Sequence, residues 1–118
     1  MITSIAFFVY PMRDIAIARC FYENVLGLKL ETNFRDEWIE YDVNGGTFAI
    51  TSMDITHVPG ANGGVIAFEV TDLDSFVGLL KEKQVKFVLE ITTSPVCRFA
   101  VIADPDGNEV IIHKRNST

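Results

Sequence analysis

The spacing of hydrophobic residues changes twice along the chain, and the second half repeats the first. Ile5–Val9, which reads IAFFV, is a short apolar run typical of a strand; from Ile15 to Val25 apolar residues recur at helical spacing, and apolar and polar residues then alternate. Period-two alternation predicts β-strands, and a period near 3.6 predicts a helix. Ile66–Val70 reads IAFEV and matches four of the five residues of the first copy, 61 positions later. The repeat predicts one supersecondary unit that is used twice.

The first half reads as a strand, a helix and three further strands. Asp14 is the expected N-cap of the helix and Gly27 its end, because a short acidic side chain caps backbone N–H groups and glycine tolerates a left-handed backbone. Asn44-Gly45-Gly46 is typical of a hairpin turn. The predicted strands cover 3–10, 28–32, 37–43 and 47–52, and the helix covers 14–26.

The second half predicts the same order of elements. Asp72 or Asp74 should cap its helix, and Asp104–Asn108, which reads DPDGN, is typical of a tight turn. The predicted strands cover 64–70, 86–92, 95–103 and 109–113, the helix covers 73–84, and Lys114-Arg115 should fray. Module one then spans about 1–53 and module two about 64–114, joined by a Gly-, Pro- and Asn-rich linker over about 54–63.

Two βαβββ modules contain too few helices to cover both faces of their sheets. The economical α+β fold is a single domain, 1–118, in which two four-stranded mixed sheets curl around a shared concave cleft with the helices outside. Alternation in the first strand predicts that Ile5, Phe7 and Val9 face the helix. Phe8, and Glu69 at the matching position of the second copy, should then face the cleft.

Composition excludes several classes of partner. Hydrophobic residues make up 48% of the 118 residues and charged residues 22%, so the chain should fold as one globular domain. A net charge of −6 argues against nucleic acid and against an anionic membrane surface. No apolar run approaches the roughly 20 residues of a spanning helix, and the N-terminal stretch lacks a basic leader. Cys20 and Cys97 are too few for a disulfide framework, so a cytoplasmic location is expected.

Two segments resemble a known family. The stretch IAFFVYPMRDIAIARCFYENVLGLKL and the stretch VIADPDGNEVIIHK are similar to those of the vicinal oxygen chelate superfamily, which includes glyoxalase I, extradiol dioxygenases and bleomycin- and fosfomycin-resistance proteins. The resemblance covers essentially the whole chain. It implies the glyoxalase/bleomycin resistance/dioxygenase fold but not one chemistry, because the superfamily contains isomerases, lyases, dioxygenases, thiol transferases and drug-binding proteins.

The resemblance also implies where a divalent metal would bind. Metal enzymes of the superfamily use His or Glu at four strand positions, which fall here on Ser4, Val65, Ile111 and, with less definition, Ala49. None of these side chains is an ordinary metal ligand, so the usual site is expected to be lost and no cofactor is expected. A displaced divalent metal is the alternative; it would draw on acids and a histidine of the concave face, namely Glu40, Asp42, Glu69, Glu109 and His113. Glu109 and His113 lie about 13 Å apart along one strand, too far to share an ion.

Glu69 and His113 are the candidate acid–base residues. Glu69 would lie in a largely apolar wall, where a carboxyl group has a raised pKa and can act as a base or bind a cation. His113 shares its predicted face with Glu109 and Ile111 and could be a base or a hydrogen-bonding group. The structural alternatives are a solvated carboxylate near a strand end and a solvated histidine before a fraying tail.

The other candidates are ligand-binding residues, and the acids Glu40 and Glu109 belong to this group as well. Trp38 with Phe8 could stack on a flat or cationic ligand, or Trp38 could fill the cleft or pack at a dimer edge. Arg98 could line the cleft and hold a carboxylate or pair with a glutamate, but the alternation of its strand leaves its face ambiguous. Cys97 is more typical of a small core residue than of a nucleophile. His57 is expected in the exposed linker. Asp104 and Asp106 are expected to be turn residues.

Two function classes follow from these residues. The first is a metal-free small-molecule-binding protein for a cationic or aromatic ligand, related to the drug-binding branch and paired as a homodimer through its sheet edges. The second is a lyase, isomerase or dioxygenase that uses Glu69 or His113 as acid or base, or a displaced metal. An interaction module with a filled cleft is a third alternative.

Overall fold

The structure, a computed structural model, describes residues 1, 3, 5–53, 58–60 and 65–116. Ser4 and His57, two residues singled out above, lie outside this described part. The chain forms two compact units, Met1–Ala61 and Asn62–Thr118. The described part contains no helix with the length and apolar character that crossing a membrane requires.

Each unit has the predicted βαβββ order. In unit one, strands β1 (Phe8–Pro11), β2 (Lys29–Phe34), β3 (Trp38–Val43) and β4 (Gly46–Thr51) form a sheet in the order β1-β4-β3-β2, which we call sheet one. The helix α1 (Ile15–Arg19) continues as a π-helical segment over Cys20–Val25. β1 runs parallel to β4, and the other pairs are antiparallel.

Unit two repeats this arrangement. Its strands are β5 (Ile66–Glu69), β6 (Phe87–Thr93), β7 (Cys97–Ala103) and β8 (Glu109–Arg115), and its helix is α2 (Leu73–Glu82). They form sheet two in the order β5-β8-β7-β6, with β5 parallel to β8. The expected fraying of Lys114-Arg115 is wrong, because both residues belong to β8 and pair with β7.

An aspartate begins both helices. The Asp14 carboxylate accepts the backbone N–H of Ile17, and the Asp72 carboxylate accepts that of Ser75. These bonds satisfy donors that a helix terminus leaves unpaired. Of the two candidate caps in the second half, Asp72 therefore has this role, and Asp74 lies in the first turn.

One face of each sheet packs against the helix. In sheet one, the ring of Tyr22 lies 5.1 Å from that of Phe48 and 6.4 Å from that of Tyr41. In sheet two, α2 contacts β7 and β8, and the side chains on that face include Ala100, Ile102, Val110 and Ile112, all buried. We call the opposite surface the helix-free face of each sheet.

The structural repeat has a different offset from the sequence repeat. Phe8 and Ile66 begin β1 and β5, 58 residues apart, and the caps Asp14 and Asp72 are also 58 residues apart. The match of IAFFV to IAFEV, at 61 residues, is therefore out of structural register. The counterpart of Glu69 in module one is Pro11, not Phe8.

The predicted faces of β1 are wrong for the same reason. Phe8 pairs with Phe48, and Tyr10 pairs with Ile50. Paired residues of neighbouring strands share a face, and Phe48 faces the helix, so Phe8 does too. Phe8 is 53% exposed near the edge of the sheet, where it does not belong to the predicted cleft face.

A partly buried ionic network joins the helix of unit one to β3. Glu23 accepts a hydrogen bond of 2.7 Å from Arg19 Nε and one of 2.9 Å from the hydroxyl of Tyr41. The bond from Arg19 is the main cause that lowers the pKa of Glu23, and the bond from Tyr41 adds to it. Burial raises the pKa of Tyr41, so its hydroxyl stays a donor.

We expect Glu23→Gln to lower the free energy of unfolding by about 1–2 kcal/mol at neutral pH, because glutamine is uncharged and cannot form the ion pair with Arg19. A lowered folded-state pKa gives stability that is present above the unfolded value of about 4.3 and is lost as the pH falls through the folded pKa. The difference between variant and parent in urea unfolding should therefore shrink below about pH 4. An equal difference in unfolding free energy between variant and parent at pH 7 and in acid would contradict this account. Glu82→Gln on α2 is the control variant.

Candidate functional site

Glu69 and His113 meet on the helix-free face of sheet two. They are direct partners in the parallel pairing of β5 with β8. Oε1 of Glu69 lies 2.6 Å from Nδ1 of His113, and Oε2 accepts the backbone N–H of Arg115 at 2.7 Å. Both carboxylate oxygens are thus engaged, and β8 holds the carboxylate at two points.

The charge state of Glu69 differs from the prediction. The expected raised pKa is wrong: the backbone N–H of Arg115 lowers the pKa of Glu69, and the hydrogen bond with His113 lowers it further. Desolvation opposes this weakly, because the side chain is 49% exposed. Glu69 is therefore an anion at neutral pH, and Nδ1 of His113 is the donor in their hydrogen bond.

His113 belongs to a regular strand, so the fraying end expected as its structural alternative is wrong. Its side chain is 27% exposed. The next residue across on β7 is Phe99, and the next on β6 is Thr92. A single row of side chains, the His113 row, therefore crosses all four strands of the helix-free face: Glu69, His113, Phe99 and Thr92.

The neighbouring row on this face is apolar. Strand pairing places Ala67, Ile111, Val101 and Leu89 across the four strands. A polar and aromatic row beside an apolar row can bind a molecule that has one flat hydrophobic surface and one polar edge.

Trp38 forms an aromatic corner on the helix-free face of sheet one. Its ring lies 5.4 Å from that of Phe7 at 88°, an edge-to-face contact, and its indole N–H donates to Glu40 at 2.9 Å. We call these three residues the Trp38 corner. Phe7 is 43% exposed, and Trp38 and Glu40 are half-buried.

The aromatic partner of Trp38 is therefore Phe7 and not Phe8, the predicted residue. Phe8 points to the other face, and Phe7, which the sequence reasoning assigned to the helix side, makes the contact. Phe7 and Val65 each lie seven residues before a helix cap, so the distance from the cap predicts that they are equivalent. The IAFFV repeat suggested a different alignment.

Arg98 does not line the predicted cleft face. It shares the helix side of sheet two with Ala100 and Ile102 in the alternation of β7, and its guanidinium makes two hydrogen bonds, of 2.9 and 3.0 Å, to Asp74 on α2. The residue does hold a carboxylate, as predicted, but within its own unit. The pair is exposed and ties β7 to the first turn of α2.

The remaining candidates have mainly structural surroundings. Cys97 Sγ lies 3.2 Å from Ser94 Oγ in the turn before β7. Asp104 is buried and accepts hydrogen bonds from the backbone N–H groups of Asp106 and Asn108 and from the Asn108 amide, as its turn role predicts. Glu109 lies exposed at the start of β8, on the same face as His113.

Strand pairing shows which of the four expected metal-ligand positions are equivalent in the two modules. Val9 pairs with Ala49 in sheet one, and Ala67 pairs with Ile111 in sheet two, so Ala49 and Ile111 are structural counterparts. Val65 precedes β5 as Phe7 precedes β1, and Phe7 therefore replaces Ser4 as the counterpart of Val65. Within the described ranges, no three His, Cys, Asp or Glu side chains are grouped to hold a metal ion.

Comparison with known proteins identifies the family. The family model of the Glyoxalase/Bleomycin resistance protein/Dioxygenase superfamily matches residues 4–112. The chain belongs to this superfamily, as its βαβββ repeat and terminal motifs predicted. No curated protein matches the sequence.

Solved structures share the fold across almost the full chain. TnmS3, an antibiotic binding protein from Streptomyces sp. CB03234, has a TM-score of 0.82 at 23% identity, covering 98% of each chain. A putative glyoxalase family protein from Bacillus anthracis has a TM-score of 0.81 at 17% identity, also covering 98% of each chain. Lactoylglutathione lyase from Agrobacterium tumefaciens has a TM-score of 0.76 at 19% identity, covering 97% of this chain and 95% of its own. At these identities the similarity shows the fold alone.

Proposed function

We propose that this protein binds a cationic or aromatic small molecule and has lost the usual metal site of its superfamily. The observation that carries this proposal is the Trp38 corner. Two aromatic rings at right angles offer a ring face and a ring edge to a ligand, and the Glu40 carboxylate lies beside them. Aromatic faces attract organic cations, and a fixed carboxylate adds a charge of the required sign.

The charge of the whole chain favours the same ligand class. The net charge is −6, which raises the local concentration of cations near the surface. The indole N–H holds Glu40 on the helix-free face, so the acid is presented beside the rings. The fold similarity to TnmS3, described as an antibiotic binding protein, agrees with a binding role.

The proposal that the metal site is lost is based on the chemistry of four side chains. The superfamily resemblance calls for His or Glu at Ser4, Ala49, Val65 and Ile111. The alignment of the two modules replaces Ser4 by Phe7, so the four positions become Phe7, Ala49, Val65 and Ile111. None of these four carries a nitrogen, oxygen or sulfur atom that binds metal through its side chain. Glu40, Asp42, Glu69, Glu109 and His113 are the residues that a displaced site would have to recruit.

The second candidate is an enzyme of the lyase, isomerase or dioxygenase type. One observation favours it: the 2.6 Å contact of Glu69 with His113 is the arrangement that orients an imidazole for acid–base catalysis. Loss of catalysis from either single variant, Glu69→Gln or His113→Gln, would support this candidate once a substrate is found.

We further propose that the protein is a cytoplasmic homodimer. Both cysteines lie in the described part and are free thiols, in keeping with a reducing compartment. Sheet edges present unpaired backbone groups that favour pairing with a second chain, and Phe8 adds exposed apolar surface near one edge. Light scattering of the purified protein should give the mass of two chains, and the mass of one chain would contradict the dimer.

The binding proposal can be tested through tryptophan fluorescence, because Trp38 is the only tryptophan of the chain. Phenyltrimethylammonium should change the emission in a saturable way. Its neutral counterpart of the same shape, tert-butylbenzene, should bind about tenfold more weakly, since it lacks the charge that the rings and Glu40 attract.

Glu40→Gln is the matched variant for this titration. It keeps a hydrogen-bond acceptor for the indole and removes the charge, so the affinity for phenyltrimethylammonium should fall about threefold or more. Glu82→Gln removes one negative charge on α2 and should leave the affinity unchanged. Equal binding of the two probes, or no saturable change with the cation, would refute a cation site at Trp38.

The loss of the metal site predicts that divalent ions do not stabilise the protein. Protein that has been treated with a chelator should keep the same melting temperature when Zn²⁺, Ni²⁺, Mn²⁺ or Fe²⁺ is added. A ligand that binds only the folded state raises the melting temperature in proportion to its occupancy. A stoichiometric metal with a large rise in melting temperature would therefore contradict this part of the proposal.

A further inference from the structure

We infer that the His113 row binds planar hydroxy-aromatic molecules and accepts the proton of their hydroxyl group at Nε2 of His113. The row lies in unit two and shares no residue with the Trp38 corner. The inference is therefore independent of the proposed cation site. It assigns a class of ligand to the Glu69–His113 pair, which the second candidate function also uses.

Glu69 prepares the imidazole for this role. Its two oxygens are held by Nδ1 of His113 and by the backbone N–H of Arg115, so the carboxylate cannot turn away without losing both bonds. Because Nδ1 carries the shared hydrogen, the lone pair of the neutral ring lies on Nε2. In the described part of the chain, the contact through Nδ1 is the one hydrogen bond that the ring makes.

Phe99 provides the surface for an aromatic ring. It is half-buried and directly opposite His113, so their backbones lie about 5 Å apart. A ring stacked on Phe99 with the usual offset would place a substituent at His113 on one side and another at Thr92 on the other. Thr92 donates its hydroxyl hydrogen to the carbonyl of Glu90 and retains acceptor capacity.

The proton transfer leaves the charge of the site unchanged. The ligand O–H bond breaks, its electron pair stays on the oxygen, and an N–H bond forms at Nε2. The imidazolium then lies between the phenolate and the Glu69 carboxylate, and both anions stabilise it. Among the described residues, the other titratable groups on this face are Glu109 and Arg115 of β8 and Cys97 of β7, while β6 contributes the uncharged Leu89 and Thr92.

The test uses 4-nitrophenol, because its phenolate form absorbs visible light and its phenol form does not. Protein is titrated at the pH where half of the free probe is ionised. The bound probe should be more ionised than the free probe, with about a tenfold higher ratio of phenolate to phenol, equivalent to one pKa unit. The methyl ether 4-nitroanisole has no proton to give and should bind about tenfold more weakly, the loss expected for one charge-assisted hydrogen bond.

Two variants assign the effect to the row. His113→Gln should abolish the rise in ionisation, and Glu69→Gln should reduce it severalfold, because the imidazolium loses its anionic partner. Glu82→Gln should leave both affinity and ionisation unchanged. Circular dichroism verifies that each variant is folded. If His113→Gln does not fold, the result for Glu69→Gln and the comparison of 4-nitrophenol with its methyl ether test the inference instead.

Several results would overturn the inference: no binding at millimolar probe, equal affinity for the phenol and its ether, or a rise in ionisation that survives His113→Gln. None of them affects the fluorescence titration of Trp38 with phenyltrimethylammonium. A failed cation titration with a positive nitrophenol result would conversely reject the Trp38 corner and retain the His113 row.

Discussion

The parallel pairing of the first and last strands of each module is the constraint on which both candidate surfaces depend. In sheet two it sets Glu69 opposite His113, and in sheet one it sets Pro11 opposite Thr51 at the corresponding positions. Side chains alternate between faces, so a shift of one residue in this pairing would turn every one of them over. The same pairing in the two modules thus yields an acid–imidazole pair in one and a buried Pro11–Thr51 pair in the other.

The third strand of each sheet carries an aromatic residue at the equivalent place. Trp38 pairs with Thr51, and Phe99 pairs with His113. Both rings lie on a helix-free face, but their polar neighbours differ. Trp38 has an acid on its own strand, and Phe99 has a histidine across from it. The two surfaces therefore differ in chemistry, and we propose a cation as the ligand in sheet one and a proton donor in sheet two.

The order of elements, the family and the helix caps could be predicted from the sequence, because these depend on local periodicity and on residues such as Asp14 and Asp72. The faces of β1 could not, since IAFFV is apolar throughout and its likeness to IAFEV suggested a register that strand pairing overrules. The bond between Glu69 and His113 joins residues 44 positions apart, and nothing in either local stretch specifies that contact. Arg98 was ambiguous for a related reason: its partner, Asp74, is on a helix and not on the sheet.

The central claim is that ligands bind to the helix-free faces, and methyl NMR tests it most directly because neighbouring residues of β8 point to opposite sides. Ile111 lies on the helix-free face of sheet two and the buried Ile112 on the helix side. Titration with 4-nitrophenol should shift the methyl signals of Ile111 and leave those of Ile112 nearly unchanged. Shifts confined to Ile112 and the residues of α2 would contradict the account, because the ligand would then bind beneath the helix.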